Sequence, residues 1–276
     1  MPKKNLSSSG QTGPLSVGNV VSASLRIYRD HFKSYFGLAL VASLWLFVPI
    51  YGSAKYSAIL GLISRLAFGE VREKPETVSD ARREVNPRKW SFFGAGILTV
   101  LIYFGVSLLG GIAIAIVTGG AGAIFGQNSP IVAVLLVVVA VIAFLIIYIR
   151  IISRLLIVEL PLAIENNIGA SSAIARSWEL TKGSVGRIQW IVFVGILVSL
   201  PITIVVQILS GIVESVLRAV LGAESGIFYL VYFLLLLLLS FASGALVTPF
   251  WQAMKALIYY DLRSRKEGLG LQIRDR

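Results

Sequence analysis

The chain has 276 residues, of which 56% are hydrophobic and only 14% charged, and its mean hydropathy is +0.82. Soluble domains are about 25% charged and about 45–50% apolar, so the composition excludes a soluble enzyme, a disordered chain and a secreted disulfide scaffold. With no Cys and one His, His31, there are no disulfides, no thiolate metal sites, no Cys nucleophile and no His cluster.

The net charge of +11 would suggest nucleic acid in a soluble protein. In so hydrophobic a chain it is better explained by positively charged cytoplasmic loops, so no nucleic-acid partner is expected. Residues 1–14 are rich in Ser, Gly and Gln and lack an apolar h-region. They read as a disordered cytoplasmic tail rather than a signal peptide.

From Ser16, a suitable N-cap, the pattern is helical. Val17, Val20, Val21, Leu25, Tyr28 and Phe32 form an apolar stripe, with Arg26, Arg29, Asp30 and Lys33 on another side. This predicts an amphipathic helix, either lying at the membrane interface or packed on protein. Residues 32–51 are a first candidate span, and 56–68, which carry Arg65, a short second one. Residues 70–89 are densely charged and predicted to face water, with helix after Asp80.

Residues 90–149 contain no charge at all, too long a stretch for one crossing. Gly119, Gly120, Gly122, Gly126, Asn128 and Pro130 interrupt it with turn chemistry, predicting spans at 91–118 and 131–152. Residues 168–182 read as a second amphipathic helix, closed by Gly183. Further spans are predicted at 188–209 and 227–247. The segment after Pro249 reads as a basic amphipathic tail, of which 269–276 is the end.

Of the 25 Lys and Arg residues, 22 fall in the four segments 1–33, 70–89, 150–187 and 255–276. That asymmetry predicts six crossings with both termini cytoplasmic. The expected fold is therefore all-α: a polytopic integral membrane bundle of about six transmembrane helices, with interfacial amphipathic helices on the cytoplasmic side. Residues 15–268 form its single transmembrane domain.

Catalytic constellations are not found: there is no GxSxG, HExxH or GxxxxGK[ST] in the sequence, and no cofactor or metal is implied. Glu159 and Glu165 are expected as interfacial carboxylates facing Arg150 and Arg154. Ser199, Thr203, Gln207, Ser240 and Ser243 are polar residues within spans, suited to hydrogen bonds between helices. A central cavity lined by Ser199, Thr203 and Gln207 would favour a small transporter or lipid-handling permease. A fully packed bundle would favour a non-enzymatic protein that organises lipid or a protein partner.

Ser107, Gly111, Ala115, Gly119 and Ala123 are small residues four apart, a stripe that lets membrane helices approach closely. Its partner is expected to be an internal helix or another copy of the chain. Arg26, Arg29, Lys33, Arg176, Lys182, Arg263, Arg265 and Lys266 are candidate contacts to anionic lipid, with Tyr28, Trp178, Tyr259 and Tyr260 at head-group depth. Residues 18–49 and 169–201 show a weak echo of each other: an interfacial helix, then a span with Pro.

Three segments carry a family resemblance. They are LSVGNVVSASLRIYRDHF from Leu15, IARSWELTKG from Ile174 and YYDLRSRKEG from Tyr259. They resemble the membrane domain that precedes the catalytic domain in some bacterial glycerophosphoryl diester phosphodiesterases, and related stand-alone membrane proteins. The resemblance covers about residues 15–272. It implies a bacterial multi-helix membrane module. In that family the phosphodiesterase chemistry belongs to a separate soluble barrel, which this sequence is expected to lack, so no catalytic residue is implied here.

Overall fold

The computed structural model describes residues 16–126, 129–222 and 225–267. The tails at 1–14 and 269–276 lie outside them. The described residues form an all-α structure. Helix α1 (Val17–Asp30) opens with the Ser16 hydroxyl accepting the Asn19 N–H at 3.2 Å, the cap expected from the sequence. His31 separates it from α2 (Phe32–Trp45), and a tight turn leads into α3 (Tyr51–Val71).

Helix α4 (Val78–Val85) is capped by Thr77. One 3-10 turn, Asn86–Arg88, joins it to α5 (Lys89–Phe125). Helix α6 (Pro130–Leu155), the short α7 (Glu159–Ile164) and α8 (Ala170–Thr181) follow. Two long helices complete the fold, α9 (Val185–Leu221) and α10 (Gly226–Glu267). Gly183, past α8, has φ of +84°, which suits the glycine predicted there.

Among the described residues, four helical stretches are long and apolar enough to cross a bilayer: Val78–Phe125, Pro130–Ile164, Val185–Leu221 and Gly226–Glu267. They match the last four of the six predicted spans. The first two predicted spans became α2 and α3. Helix α2 has 14 residues, about 21 Å at 1.5 Å per residue against a hydrocarbon core of about 30 Å. Helix α3 has the length but carries Lys55, Arg65 and Glu70.

The long helices outrun their predicted bounds. Helix α5 continues through Gly119, Gly120 and Gly122 to Phe125. Each Gly costs about 1 kcal/mol in a water-exposed helix. In an apolar medium the backbone has no other hydrogen-bond partner, so the helix persists. Helix α9 absorbs Pro201, and α10 runs on through Pro249 into the stretch expected as a separate tail.

The long helices are two-part objects. Residues such as Leu109, Ile116, Val139, Ile146, Ile208 and Phe233 are exposed and apolar, as surface meeting lipid must be. The opposite ends of the same helices are buried: Phe92 and Ala95 of α5, Leu155 of α6, Ile188 and Ile191 of α9, and Met254 to Leu262 of α10. Those ends pack with α1–α4, α7 and α8 into one core. Thus α5 and α9 leave the core, and α6 and α10 return to it.

Of the two partners expected for the small-residue stripe, an internal helix is not found among the described residues. Ser107, Gly111, Ala115 and Gly119 are all exposed, and a Cβ on Gly111 or Gly119 would meet nothing within 4 Å. The close approach between α5 and α6 comes one position earlier, at Gly110, where a Cβ would collide with the Phe144 ring. A four-residue period selects a helix face, but several faces of α5 carry small residues, so spacing did not single out the packed one.

Candidate functional site

The packed core holds a polar centre that begins on α3. Ser64, fully buried, faces α10 and donates at 3.1 Å to Oε1 of Gln252, also buried, and at 3.3 Å to Oε1 of Glu159. One hydroxyl carries one proton, so Ser64 serves these two acceptors alternately. Lys255 Nζ donates to the same Glu159 oxygen at 3.1 Å. Both side chains of this ion pair are about one-fifth exposed, 20% for Glu159 and 19% for Lys255.

Glu159 opens α7, and two arginines fix that helix. Arg65 pairs with Glu76 through two hydrogen bonds, at 2.7 and 3.1 Å, and donates to Ala163 O at 2.8 Å. Arg88 donates to Leu162 O at 3.2 Å and Glu165 O at 2.6 Å. The last carbonyls of a helix lack internal partners and carry partial negative charge, so guanidinium groups are apt there. Gly61 allows Phe92 to approach α3, since a Cβ on it would fall within that ring.

A groove of about 330 Å³ adjoins the ion pair. Its walls are mostly apolar, including Phe92, Ala95, Leu155, Leu156 and Leu162, with Ser57, Thr99 and Tyr103 as polar points and Glu159 and Lys255 at its polar end. Such a site offers an apolar amphiphile a wall, and its headgroup one cation and one anion. Ser199, Thr203 and Gln207, whose lining of a central cavity would favour a transporter, are not in this groove. Thr203 and Gln207 are exposed, and the Ser199 and Thr203 hydroxyls are spent on carbonyls one turn back, Gly195 O and Ser199 O.

The expected pairing of Glu159 and Glu165 with Arg150 and Arg154 is also replaced. Glu165 accepts from Arg176 Nε at 3.1 Å and from the Tyr259 hydroxyl at 2.5 Å. Arg154 instead lies 4.6 Å over the Trp178 ring and donates to Trp178 O at 3.1 Å. Sequence distance misled here: Lys255 and Tyr259 lie about 95 residues away but beside the carboxylates in space.

The candidate lipid-contact residues divide into two groups. Arg176 and Arg263 are committed to carboxylates: Arg176 to Glu165, Glu179 and Glu267, and Arg263 to Glu267 at 2.7 Å. Burial opposes the charge of Arg176, but the hydrogen bonds and charges of Glu165 and Glu267 outweigh it and raise its pKa above the ordinary value. Arg265 is exposed and pairs with Asp261 at 2.9 Å, and Lys266 is exposed and donates to Glu179 O at 2.5 Å. Arg26, Lys33 and Lys182 are exposed and make no ion pair among the described residues, and Arg29 is exposed beside its neighbour Asp30. Of the proposed head-group aromatics, Trp178 is exposed while Tyr259 is fully buried. Burial also pushes the Tyr28 phenol up to about 12.

The residues missed from the sequence are Ser64, Gln252 and Lys255. A weak signal for them existed: Gln252 and Lys255 are polar residues at i and i+3 within the apolar stretch that follows Pro249. No protein-family profile, curated protein or solved structure matches this chain.

Proposed function

We propose that this chain is a non-enzymatic multi-pass membrane protein that organises anionic lipid at its cytoplasmic face. The observation that supports it is one-sidedness. The structure gathers α1, α8 and the core ends of the four long helices together, and Arg26, Arg29, Lys33 and Lys182 project from that end. Basic groups near a bilayer attract anionic headgroups by about 1 kcal/mol each. The segments resembling the bacterial membrane-domain family belong to this end as well, and with them we place the protein in a bacterial cytoplasmic membrane with both termini inside.

Lipid extracted with the purified full chain and quantified by mass spectrometry tests this reading. The anionic fraction is expected to exceed that of the source membrane. An anionic fraction equal to the bulk value would reject it.

The groove beside Glu159 and Lys255 favours a second reading, a lipid-handling permease. There the groove would hold one amphiphile in passage, and a variant that fills it, such as Thr99→Trp, would block transport across reconstituted vesicles.

For topology, we propose four full crossings, with α2 and α3 forming a hairpin that enters and leaves from the cytoplasmic side. Its tip carries exposed Phe47, Val48 and Ile50. Phe47 packs edge-on against Phe241, with ring centroids 5.2 Å apart. Phe241 lies about 22 Å along α10 from Gly226, so the tip stops well short of the far end. Because the chain has no Cys, single cysteines report cleanly. An impermeant maleimide is expected to label Asn128→Cys from outside, and Val48→Cys from neither side. External labelling at position 48 would restore six crossings.

A further inference from the structure

We propose that the elbow between α4 and α5, with the neighbouring start of α3, binds the phosphate headgroup of an anionic phospholipid. The proposal deepens the lipid-organising function above and rests on it, but assigns the contact to residues outside the set expected from the sequence. Helix α4 turns Ala81 and Val85 into the core, at i and i+4, which leaves Arg82 and Arg83 outside. Lys89 opens α5, and Lys55 reaches across from α3 to donate to Asn86 Oδ1 at 2.9 Å.

None of these four cations makes an ion pair among the described residues. On α4, Asp80 is engaged by the Thr77 hydroxyl at 2.6 Å, which leaves Glu84, exposed, as the carboxylate among them. Elsewhere at this end of the molecule, arginines such as Arg65, Arg176 and Arg263 are spent on carboxylates. Here the positive charge is left over.

Two adjoining hollows share Arg82 and Asn86. One is a cleft of about 210 Å³ whose wall also carries Trp45 and Lys55. The other is a wide basin of about 560 Å³ beside Arg83 and Lys89. Aromatic rings frame them: Lys55 and Lys89 lie 5.8 and 5.7 Å from the Tyr51 ring. Trp45 and Trp90 lie 5.7 and 6.4 Å from that same ring.

Trp and Tyr favour head-group depth, and Arg and Lys there match phosphate oxygens. The exposed apolar residues Leu44, Leu46 and Phe47 adjoin Trp45 in the hairpin. Cations against phosphate, with apolar surface continuing toward the acyl region, commit the occupant to a lipid rather than a free anion.

The test titrates dioleoylphosphatidylglycerol into the full chain in an uncharged detergent, following tryptophan fluorescence and Tm. Each surface cation is worth roughly fivefold in binding, so Arg82→Gln/Arg83→Gln/Lys89→Gln is expected to weaken binding roughly 100-fold. The charge-conserving Arg82→Lys/Arg83→Lys is expected to retain it. Wild-type affinity in the triple variant overturns the site while leaving the lipid-organising function standing. Absence of binding to the wild type overturns both.

Equal affinity for phosphatidylcholine, or for inorganic phosphate without lipid, overturns the assignment of an anionic lipid. Should the triple variant fail to fold, salt decides on the wild type. Binding by these cations falls as ionic strength rises, and affinity indifferent to salt overturns the proposal.

Discussion

Lys255→Met is expected to destabilise the full chain by roughly 3 kcal/mol, the lower end of the range for breaking a buried ion pair. The lower end applies because both partners keep about one-fifth of their side-chain surface exposed, 20% for Glu159 and 19% for Lys255. Removing the ammonium leaves Glu159 with the shared Ser64 proton on a mostly apolar groove wall. A carboxylate so placed costs more than the pair it came from. Converting both partners, as in Glu159→Gln/Lys255→Met, removes the orphaned charge and is expected to regain most of the loss. Thermal unfolding in detergent measures both. A single variant within about 0.5 kcal/mol of wild type, the range of ordinary surface substitutions, would show that the pair is solvated and that the polar centre does not organise α3, α7 and α10.

How much was legible in the sequence depended on the range of the physics involved. The four long apolar helices follow from local composition, because a bilayer demands apolar length whatever the neighbours are. The Ser16 cap and the Gly183 stop are equally local. The two failures at helix boundaries share one cause: Gly119–Gly122 and Pro249 are breakers in water, where a freed backbone group finds another partner. In lipid or a packed core that partner is missing.

The polar centre was illegible for the opposite reason. Ser64, Glu159 and Gln252 lie on three helices that only tertiary packing brings together, and no spacing rule relates positions 95 or 188 residues apart. Charge counting also treated every Lys and Arg as equivalent. The structure separates them into arginines consumed by carboxylates, such as Arg176, and cations left unpaired, such as Arg82 and Arg83.

Gly52→Ala is expected to destabilise the protein by roughly 2–3 kcal/mol and to disturb the hairpin tip specifically. The turn between α2 and α3 is compressed. Tyr51 N–H bonds Pro49 O at 2.6 Å, and Gly52 N–H bonds Val48 O at 2.9 Å. A Cβ at position 52 would overlap the carbonyl of Trp45 and press on Val48 Cβ at 3.1 Å. The obstacle at Trp45 is backbone, so no rotamer change relieves it, and α2 must move away from α3.

The same turn holds Ile50 at φ +58° and ψ −66°, a γ-turn conformation closed by the Tyr51 N–H to Pro49 O bond, rare and strained for a β-branched residue at a cost of about 1–3 kcal/mol. Ile50 is exposed, so Ile50→Gly sheds that strain while giving up little packing, and it is expected to stabilise by about 1 kcal/mol. Opposite signs two residues apart distinguish backbone crowding from general intolerance of the tip. Thermal unfolding of the two variants reads them out. If Gly52→Ala matches wild type, the tip is loose, and the ring cluster of Trp45, Tyr51 and Trp90 that depends on it cannot be a fixed frame for a headgroup.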